Sequence, residues 1–468
     1  MLILISAVFY TDFAYDLLRT NYAKLITVYS ILMFFFLMLP KLTKKNTNIL
    51  IITAILFRLI FLLATPNLSQ DFYRFIWDGR MILEGMNPYL YTVESFIGNG
   101  QFPVNQAQEL YDGMGQLNAS HYTNYPPLNQ LCFVIAGLFA GKNILGSVVV
   151  MRLIIIAADI GTLYFGKKLL ERLNIPVDRI FWYILNPFII IELTGNLHFE
   201  GVMIFFLVWS LYLLHKGKWQ WAAVVFALSV SIKLIPLIFL PLLFQWFISN
   251  RPLNSTRAES KQDDANIIIQ TSPGNIILKG MKKLIGFYTI VGLVTILMFL
   301  PFYSSKFVTN YTDTVGLWFQ DFEFNASLYY IAREIGYTFR GYNEIAIIGS
   351  YIPLVVVGFV FLITFLRKNK TMPQLIAAML LALSFYFFTA TTVHPWYVAT
   401  LLILSVFTKY KFPLVWSFVI MLSYLAYANN TNKENLWIIG LEYIIVYAVM
   451  IWDLVTIKKT SIVNPAPL

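Results

Sequence analysis

Apolar and polar positions alternate in long blocks along this chain, with mostly hydrophobic runs separated by short polar segments. The apolar runs lie at about 1–16, 24–40, 49–66, 144–165, 178–194, 199–215, 219–232, 234–248, 284–302, 346–366, 373–391, 397–408, 412–428 and 435–456. A helix needs about 20 residues to cross a bilayer squarely, and flanking Tyr, Trp and Lys residues extend the shorter runs. The pattern predicts an all-α polytopic membrane protein with about 13–14 transmembrane helices.

The segment 71–89, DFYRFIWDGRMILEGMNPY, departs from this block pattern because charged and apolar residues recur there at helical spacing. Its apolar stripe consists of Phe72, Phe75, Ile76, Ile82, Leu83 and Met86. Asp71, Arg74 and Asp78 recur on another side of the helix, so we expect their charged groups to lie together. The proline of Asn87-Pro88 ends the pattern. An amphipathic helix over 71–86 beside a membrane run is expected to lie in the plane of the membrane interface.

Composition and loop charge support the membrane assignment. The chain is 58% hydrophobic and 12% charged, whereas soluble domains carry about 25% charged residues. The formal net charge of +10 does not indicate nucleic-acid binding, because the Lys and Arg residues cluster in short loops between apolar runs. The single cysteine, Cys132, rules out an intrachain disulfide and is interpreted as a small buried hydrophobic residue.

The basic loops predict one alternating topology with both termini inside. The cytoplasmic loops are those that contain Lys41, Lys44, Lys45, Lys167, Lys168, Arg172, Lys216, Lys218, Arg367, Lys368, Lys370, Lys409, Lys411, Lys458 and Lys459, together with the polar loop 249–283. The long loops 67–126 and 303–345 then lie outside. The run 127–141 is interpreted as re-entrant or interfacial, because one more crossing would place Lys167 and Lys168 outside. The whole of 1–468 is predicted to form one membrane domain.

Four polar motifs share the predicted outer face, and they are the candidates for chemistry. They are the 71–89 helix, GNLHFEG at 195–201, the Ser231-Ile232-Lys233 turn and His394-Pro395-Trp396-Tyr397. Asp71 has two compatible interpretations. Its carboxylate is a candidate general base for an acceptor hydroxyl, and it is also a suitable N-cap for the helix that it opens.

The charged residues around Asp71 also have alternative roles. Arg74 and Asp78 are spaced for a structural salt bridge. Arg74 and Arg80 are instead candidates for binding a phosphate, since a guanidinium group matches two phosphate oxygens at once. Within the apolar runs, Arg152 needs a partner, and Asp159 is the nearest candidate along the chain.

The motif at 195–201 places three polar side chains at a membrane edge. Asn196, His198 and Glu200 either recognise an acceptor or donor sugar, or form a solvated turn between two helices. No metal site is assigned, because the four histidines show no ligand-like spacing. A Mg²⁺ or Mn²⁺ ion held by carboxylates is the least excluded form of metal site.

Two further motifs are suited to a lipid-linked sugar. Lys233 is an isolated ammonium in an apolar hairpin, and it either extends to the membrane interface or binds the phosphate of a lipid carrier. His394, Trp396 and Tyr397 either contact a sugar or lipid, or belong to the aromatic belt that membrane proteins place at the interface. The sequence leaves both alternatives open.

Taken in order, these motifs resemble the bacterial mannosyltransferase-type members of the GT-C glycosyltransferase superfamily. The resemblance covers roughly 20–430 and rests on DFYRFIWDGR at 71–80, GMNPY at 85–89, Tyr125-Pro126-Pro127, GNLHFEG at 195–201, Lys233 with Pro236, and HPWY at 394–397. It implies a GT-C helical bundle with long outer loops that carry short interfacial helices. The family's first-loop Asp, matched here by Asp71, would be the base. Many relatives have a second Asp near the 195–201 motif, where Glu200 stands closest in this chain.

The activity that the resemblance implies is an inverting transfer at the outer face of a bacterial inner membrane. A sugar, commonly mannose, would pass from a polyprenyl-phosphate donor to a lipid-linked or cell-envelope glycan acceptor. Such a reaction needs a base for the hydroxyl and cations for the phosphate, which is already a good leaving group. The main alternative is a transporter or flippase for lipid-linked sugars. That class predicts internal repeats and ionisable residues near the middle of the bilayer, whereas the polar motifs here gather at one edge.

Overall fold

The computed structural model describes residues 1–249, 273–429 and 431–463. Arg251, Arg257 and Lys261 of the predicted cytoplasmic loop lie outside the described residues. Within the three described ranges the regular structure is helical, apart from an isolated bridge between Phe324 and Thr392. The predicted all-α class is therefore confirmed.

Helices of very different lengths follow one another along the described ranges. The first half contains α1 (Leu2–Tyr15), α2 (Tyr22–Leu42), α3 (Thr47–Ile60), α4 (Asp71–Leu83), α5 (Val93–Gly98), α6 (Ala107–Ala119), α7 (Pro127–Ala140), α8 (Ile144–Arg172), α9 (Phe181–Ile184), α10 (Pro187–Ile189), a π-helix (Ile190–Gly195), α11 (Glu200–His215) and α12 (Trp219–Ile232). The second half contains α13 (Leu243–Ser249), α14 (Pro273–Phe299), α15 (Ser305–Gln320), α16 (Leu328–Arg340), α17 (Ile345–Leu366), α18 (Met372–Thr389), α19 (Val398–Val406), α20 (Phe412–Val419) and α21 (Leu436–Val463).

Six helices in the described ranges are long and apolar enough to cross a membrane. They are Tyr22–Leu42, Ile144–Arg172, Gly274–Phe302, Ile345–Leu366, Met372–Thr389 and Leu436–Lys458. The apolar runs predicted at 178–194 and 199–215 correspond in part to a bent pair, Pro187–Gly195 and Glu200–His215, whose axes differ by 115°. The remaining apolar helices have 10–17 residues. The predicted total of about 13–14 crossings therefore requires short helices to cross as well.

A buried ion pair joins α3 to α8. Arg58 Nε lies 2.7 Å from Asp159 Oδ2, and both side chains are only 2% exposed. The same guanidinium donates to the backbone carbonyls of Ala54 and Ile184. Asp159 was predicted to pair with Arg152, and that prediction is wrong because Arg58 occupies its carboxylate.

Arg152 instead stabilises the break in the bent pair. Its guanidinium donates to the carbonyl oxygens of Thr194 at 2.9 Å, Gly195 at 2.8 Å and Leu62 at 3.0 Å. The last carbonyls of a helix have no partner within that helix, and in apolar surroundings each unpaired group costs several kcal/mol. Asn196 Nδ2 adds a bond to the carbonyl of Ile191. The chain can therefore leave helical geometry here while its backbone carbonyls keep hydrogen-bond partners.

The amphipathic helix predicted over 71–86 forms as α4, and other helices cover both of its sides. Its apolar side packs on α7, where the rings of Phe75 and Phe133 stack at 4.6 Å. A Cβ atom at Gly79 would lie 2.4 Å from the carbonyl oxygen of Phe133, so glycine permits this close approach. Its charged side is covered by α6 and the turn that follows, because Arg74 donates to the carbonyls of Asn118 and His121. The rest of the loop thus folds back over the charged stripe, and the interfacial placement of this helix stays a prediction.

The predicted outer loop 303–345 is joined to the segment before His394. Phe324 N–H donates to the carbonyl of Thr391 at 3.1 Å, and Val393 N–H donates to the carbonyl of Phe324 at 2.8 Å. Thr392 Oγ1 also donates to the carbonyl of Phe322. These bonds place two segments that are distant in sequence side by side.

The ion pair between Arg58 and Asp159 yields a stability prediction. Substituting Arg58→Met should leave a buried, uncompensated carboxylate, and breaking such a pair costs about 3–5 kcal/mol. We expect a lower apparent melting temperature in detergent. It is measured by size-exclusion chromatography of samples heated to increasing temperatures. The double variant Arg58→Met/Asp159→Leu should recover most of the loss. Equal melting of the wild type and Arg58→Met would contradict a stabilising role for the pair.

Candidate functional site

A cavity of about 520 Å³ lies where segments from distant parts of the sequence meet. Its polar lining consists of Arg19, Ser69, Gln70, Asp71, Asn118, Asn124, Lys233, Glu323, Thr391, Thr392, His394, Asn432 and Glu434, and its aromatic lining of Tyr125, Tyr311, Phe322, Phe324, Tyr386, Trp396, Tyr397 and Tyr427. Asp71, Lys233 and the 394–397 motif were predicted on one face of the protein, and they line the same cavity. Within the described residues, the loops that were predicted to be cytoplasmic contribute no lining residue.

Asp71 is the first residue of α4 and faces this cavity. The N-cap position belongs to Gln70, so the predicted capping role of Asp71 is wrong. Asn118 Nδ2 donates to Asp71 Oδ1 at 3.2 Å, and Ser69 Oγ accepts the backbone N–H of Asp71. Burial raises the pKa of the Asp71 carboxyl, while Asn118 and the charges of Lys233 and Arg19 act in the opposite direction. Asp71 thus presents a carboxylate whose basicity is increased by its surroundings.

Lys233 follows the end of α12 and places its ammonium in the cavity wall. Its Nζ forms an ion pair with Glu200 at the start of α11. Glu200 is 1% exposed and Lys233 is 20% exposed, so the carboxylate lies behind the ammonium. The ammonium is also 5.7 Å from the centre of the Tyr397 ring. Because the carboxylate is fixed inside the bundle, it restricts where Lys233 can move.

Arg19 is a second cation of the site, and sequence reasoning missed it. Its NH1 donates to the carbonyl of Leu68 at 3.2 Å, and its guanidinium lies 4.2 Å from the centre of the Tyr427 ring. It is a single arginine in the short polar break between the first two apolar runs. Its position on the predicted outer side was the one available signal, and many residues share that property.

A stack of aromatic rings supports the wall formed by the 394–397 motif. Going outward from the bundle, His198 stacks on Trp396 with centres 3.7 Å apart, and Trp396 stacks on His394 at 4.6 Å. His394 in turn faces Phe324 at 5.3 Å. Burial and the Lys233 ammonium lower the pKa of His394 to about 3, so this ring is neutral at neutral pH. The motif therefore offers flat, uncharged surfaces to the cavity.

Asn196, His198 and Glu200, which were predicted to contact substrate, do not line the cavity. All three are buried, with 1%, 2% and 1% exposure. Asn196 Oδ1 accepts the backbone N–H of Leu68, three residues before Asp71, at 2.9 Å. His198 supports Trp396, and Glu200 supports Lys233 in the ways just described. The 195–201 motif thus positions three parts of the cavity wall from behind.

Arg74 and Arg80, predicted to bind phosphate, also lie outside the cavity lining. Arg74 Nε pairs with Asp78 Oδ1 at 2.8 Å, which is the structural salt bridge that the spacing predicts. Arg80 NH1 donates to the carbonyl of Asn105 at 2.6 Å. Both guanidinium groups hold the later part of the loop, at residues 105–121, against α4.

Two carboxylates in the cavity wall, Glu323 and Glu434, carried no sequence signature. Glu323 accepts hydrogen bonds from Tyr329 Oη at 2.8 Å and from Arg333 NH1 at 2.6 Å. Glu434 accepts from Tyr330 Oη, and burial raises its pKa. Both bind side chains of α16, so that helix fixes the carboxylates on the loop side of the cavity.

These carboxylates bear on the question of a metal ion. Within the described ranges, no group of three or more His, Cys, Asp or Glu side chains is arranged to hold a metal ion. Asp71, Glu323 and Glu434 line one cavity without forming such a group. No metal site was assigned from the sequence, which left a carboxylate-held Mg²⁺ or Mn²⁺ ion as the least excluded form, and that interpretation stays a prediction.

Comparison with known proteins gives two findings. Residues 13–249 match the family model described as alpha-(1->6)-mannopyranosyltransferase, N-terminal domain. The chain is also 22% identical over 183 residues to alpha-(1->6)-mannopyranosyltransferase A of Mycobacterium tuberculosis. That alignment covers 39% of this chain and 34% of the relative, so the chain matches about a third of the relative's length.

The cavity geometry predicts a pattern of chemical labelling. In a Cys132→Ser background, a cysteine at Leu117, an exposed residue of the cavity wall, should react with a membrane-impermeant maleimide on intact cells. A cysteine at His198 should not react until the protein is denatured, because that position is 2% exposed. Labelling of the first variant only after cell lysis would place the cavity on the cytoplasmic side. Equal labelling of both variants would contradict the buried position of His198.

Proposed function

This chain belongs to the alpha-(1->6)-mannopyranosyltransferase family, and from that premise we propose that it is a membrane mannosyltransferase. The proposed donor is a polyprenyl-phosphate mannose, the acceptor is a glycan or lipid-linked sugar, and the transfer inverts the configuration at the anomeric carbon. The observation that carries this proposal is that Asp71, Lys233 and Arg19 line one cavity. The lining includes Asp71, Lys233, the 394–397 motif and residues of the loops 67–126 and 303–345, all of which were predicted on the outer face. This supports an active site outside the bacterial inner membrane.

The proposed reaction is a displacement at the anomeric carbon. The acceptor hydroxyl oxygen forms the new bond from one face of the sugar, and Asp71 takes the hydroxyl proton. The bond between the anomeric carbon and the phosphate oxygen breaks on the opposite face. The electron pair leaves with the polyprenyl phosphate, which gains one negative charge.

Asp71 fits the role of base for two reasons. It is partly exposed and borders the cavity, so an acceptor hydroxyl can reach it. Its pKa is raised by burial, and a general base works best when its pKa approaches the working pH. Asn118 holds one carboxylate oxygen, which leaves the other for the hydroxyl proton.

Lys233 and Arg19 fit the role of cations for the departing phosphate. Both are close enough to Asp71 to affect its pKa, so the three groups act on the same space. Fixed charges in a site that excludes water stabilise developing charge more strongly than mobile charges in water. Glu200 orients Lys233 from behind, and Leu68 and Tyr427 orient Arg19. Arg74 and Arg80 are not part of this proposal.

The alternative of a transporter is less well supported. Ionisable residues do occur inside apolar helices, but their partners fix them in place. Arg58 pairs with Asp159, and Arg152 binds backbone carbonyls. Glu442 accepts hydrogen bonds from Asn325 at 3.2 Å and from Trp416 at 3.0 Å. Such fixed contacts suit a scaffold better than a substrate pathway.

The first functional prediction concerns Asp71. Purified protein given radiolabelled polyprenyl-phosphate mannose should transfer label to an acceptor, and Asp71→Asn should reduce the rate by about 10²–10⁴, the usual contribution of a general base. The matched control is Asp112→Asn, an exposed carboxylate on α6 in the same loop. Full activity in a folded Asp71→Asn variant would refute the mechanism.

The second functional prediction concerns pH. Asp71 acts only when ionised, so kcat/KM should fall as the pH drops through its raised pKa, above the ordinary value of 3.8. In Lys233→Gln this acid limb should move to higher pH, because the Lys233 charge lowers the pKa of Asp71. A pH–rate profile of both proteins measures the shift. Movement of the limb to lower pH would contradict the proposed contact between these charges.

A further inference from the structure

A second recess, of about 390 Å³, lies at the end of α17 and takes no part in the proposed reaction. Its lining comes from α13, from the last residues of α17 and from the loop that follows, namely Phe244, Gln245, Ile248, Ser249, Phe365, Leu366, Arg367, Lys368 and Lys370. The loop that contributes Glu323 to the cavity precedes α17. The recess lies at the far end of this 22-residue helix, about 33 Å along its axis.

A network of side-chain amides fixes the loop that lines this recess. Gln245 Nε2 donates to the carbonyls of Thr364 at 2.6 Å and Arg367 at 2.7 Å, and Gln245 Oε1 accepts the backbone N–H of Asn369 at 3.0 Å. Asn369 is fully buried, and its Nδ2 donates to the carbonyl of Ile363 at 2.9 Å. Three carbonyl groups at this end of α17 therefore have amide partners, and the backbone of the loop is held in one place.

The fixed loop presents two exposed lysines, Lys368 and Lys370. Lysines at the end of a helix often bind its last carbonyls and balance its dipole. That explanation is weaker here, because the amides of Gln245 and Asn369 already bind carbonyls at this end. Among the residues that the structure describes, no carboxylate forms an ion pair with either lysine. Both ammonium groups are therefore available to an anion.

The surroundings of the recess are positively charged. No Asp or Glu occurs in the three described segments that meet here, 243–249, 273–283 and 363–374. Helix α14 packs closely on α13, since a Cβ atom at Gly280 would lie 2.5 Å from the carbonyl oxygen of Phe247. Lys279 and Lys283 flank this glycine and add to the positive charge at this end of the bundle. Such an unbalanced field attracts anions.

The other half of the recess is apolar. Phe365 and Leu366 are 58% and 80% exposed, and the ring of Phe365 lies 5.5 Å from that of Phe244. They end α17, which is a candidate membrane span with only 22% of its window buried. The end of such a span lies near the lipid head groups. A ligand that matches both halves of the recess carries an anionic group next to an acyl chain.

We propose that this recess binds an anionic phospholipid, with its phosphate between Lys368 and Lys370 and an acyl chain along Phe365 and Leu366. Basic recesses at the ends of membrane helices bind the head groups of such lipids. The charged loops predict that the leaflet concerned is the cytoplasmic one. A phosphatidylcholine offers the same phosphate and chains, but its cationic choline is repelled by the lysines. The site should therefore prefer phosphatidylglycerol.

Native mass spectrometry of the full-length protein in detergent tests this site. Delipidated protein is titrated with phosphatidylglycerol and, separately, with a phosphatidylcholine that has the same acyl chains. The variant Lys368→Gln/Lys370→Gln removes both charges from the recess. The matched control is Lys409→Gln/Lys411→Gln, because these two exposed lysines have the same spacing in another loop that was predicted to be cytoplasmic.

The wild type and the control should prefer phosphatidylglycerol for the first bound lipid. The recess variant should bind that lipid about 30-fold more weakly, since each lysine near an anionic lipid contributes about fivefold. Equal affinity for phosphatidylglycerol in all three proteins would overturn the proposal, and so would equal affinity of the wild type for the two lipids. If the double variant fails to fold, the single variants Lys368→Gln and Lys370→Gln should each show about a fivefold loss.

A further arm separates a lipid from a free phosphate. Leu366→Ser leaves both lysines in place and should weaken the binding of phosphatidylglycerol, because it removes part of the acyl contact. Glycerol 3-phosphate, which has the head group without the chains, should compete poorly. Full competition by glycerol 3-phosphate, with unchanged binding in Leu366→Ser, would show a phosphate site and overturn the assignment to a lipid. None of these measurements depends on transferase activity, so they stand apart from the proposed function.

Discussion

The architecture depends on a helix that is broken inside the bundle. Between Gly195 and Glu200 the chain turns by 115°, and the open carbonyls of the first half are satisfied by Arg152. Without that guanidinium, unpaired carbonyls in apolar surroundings would oppose the break. With it, a short non-helical stretch of backbone is stable deep in the protein. Asn196, His198 and Glu200 on that stretch each hold a different part of the cavity wall, so one break organises the side of the site formed by Leu68, Trp396 and Lys233.

The charges around the cavity are divided between two sides. Arg19 and Lys233 act on Asp71, while Glu323 and Glu434 belong to segments held by α16. Each of these charges is held by a hydrogen bond, an ion pair or a ring contact with a neighbouring group of the protein. Little reorganisation is then needed when charge develops during a reaction, and this is the main source of electrostatic catalysis in enzymes. The neutral ring of His394 between the two sides adds shape without adding charge.

The sequence predicted the helical class, the α4 helix and the convergence of Asp71, Lys233 and the 394–397 motif. These features have local signatures, namely apolar periodicity, charge in loops and a proline stop. It did not predict that α6 and α7 cover the two sides of α4, because periodicity shows that a helix has two faces, but not what covers each face. It missed Arg19, Glu323 and Glu434 because none of them belongs to a recognisable motif, and only the tertiary structure brings them to one cavity. The wrong partner for Asp159 has the same cause, since Arg58 is 101 residues away in the chain.

The contact between Gly79 and Phe133 links the packing of α4 to the geometry at its first residue. A single methyl group at position 79 would have to displace the backbone of α7 or push α4 away from it. Helices move as nearly rigid bodies, so a displacement at Gly79 is transmitted about 12 Å along the axis to Asp71. Variation at this glycine would therefore act on Asp71, the proposed base, without touching it. The residues that position 79 tolerates are therefore limited by the placement of Asp71 as well as by the space around the glycine.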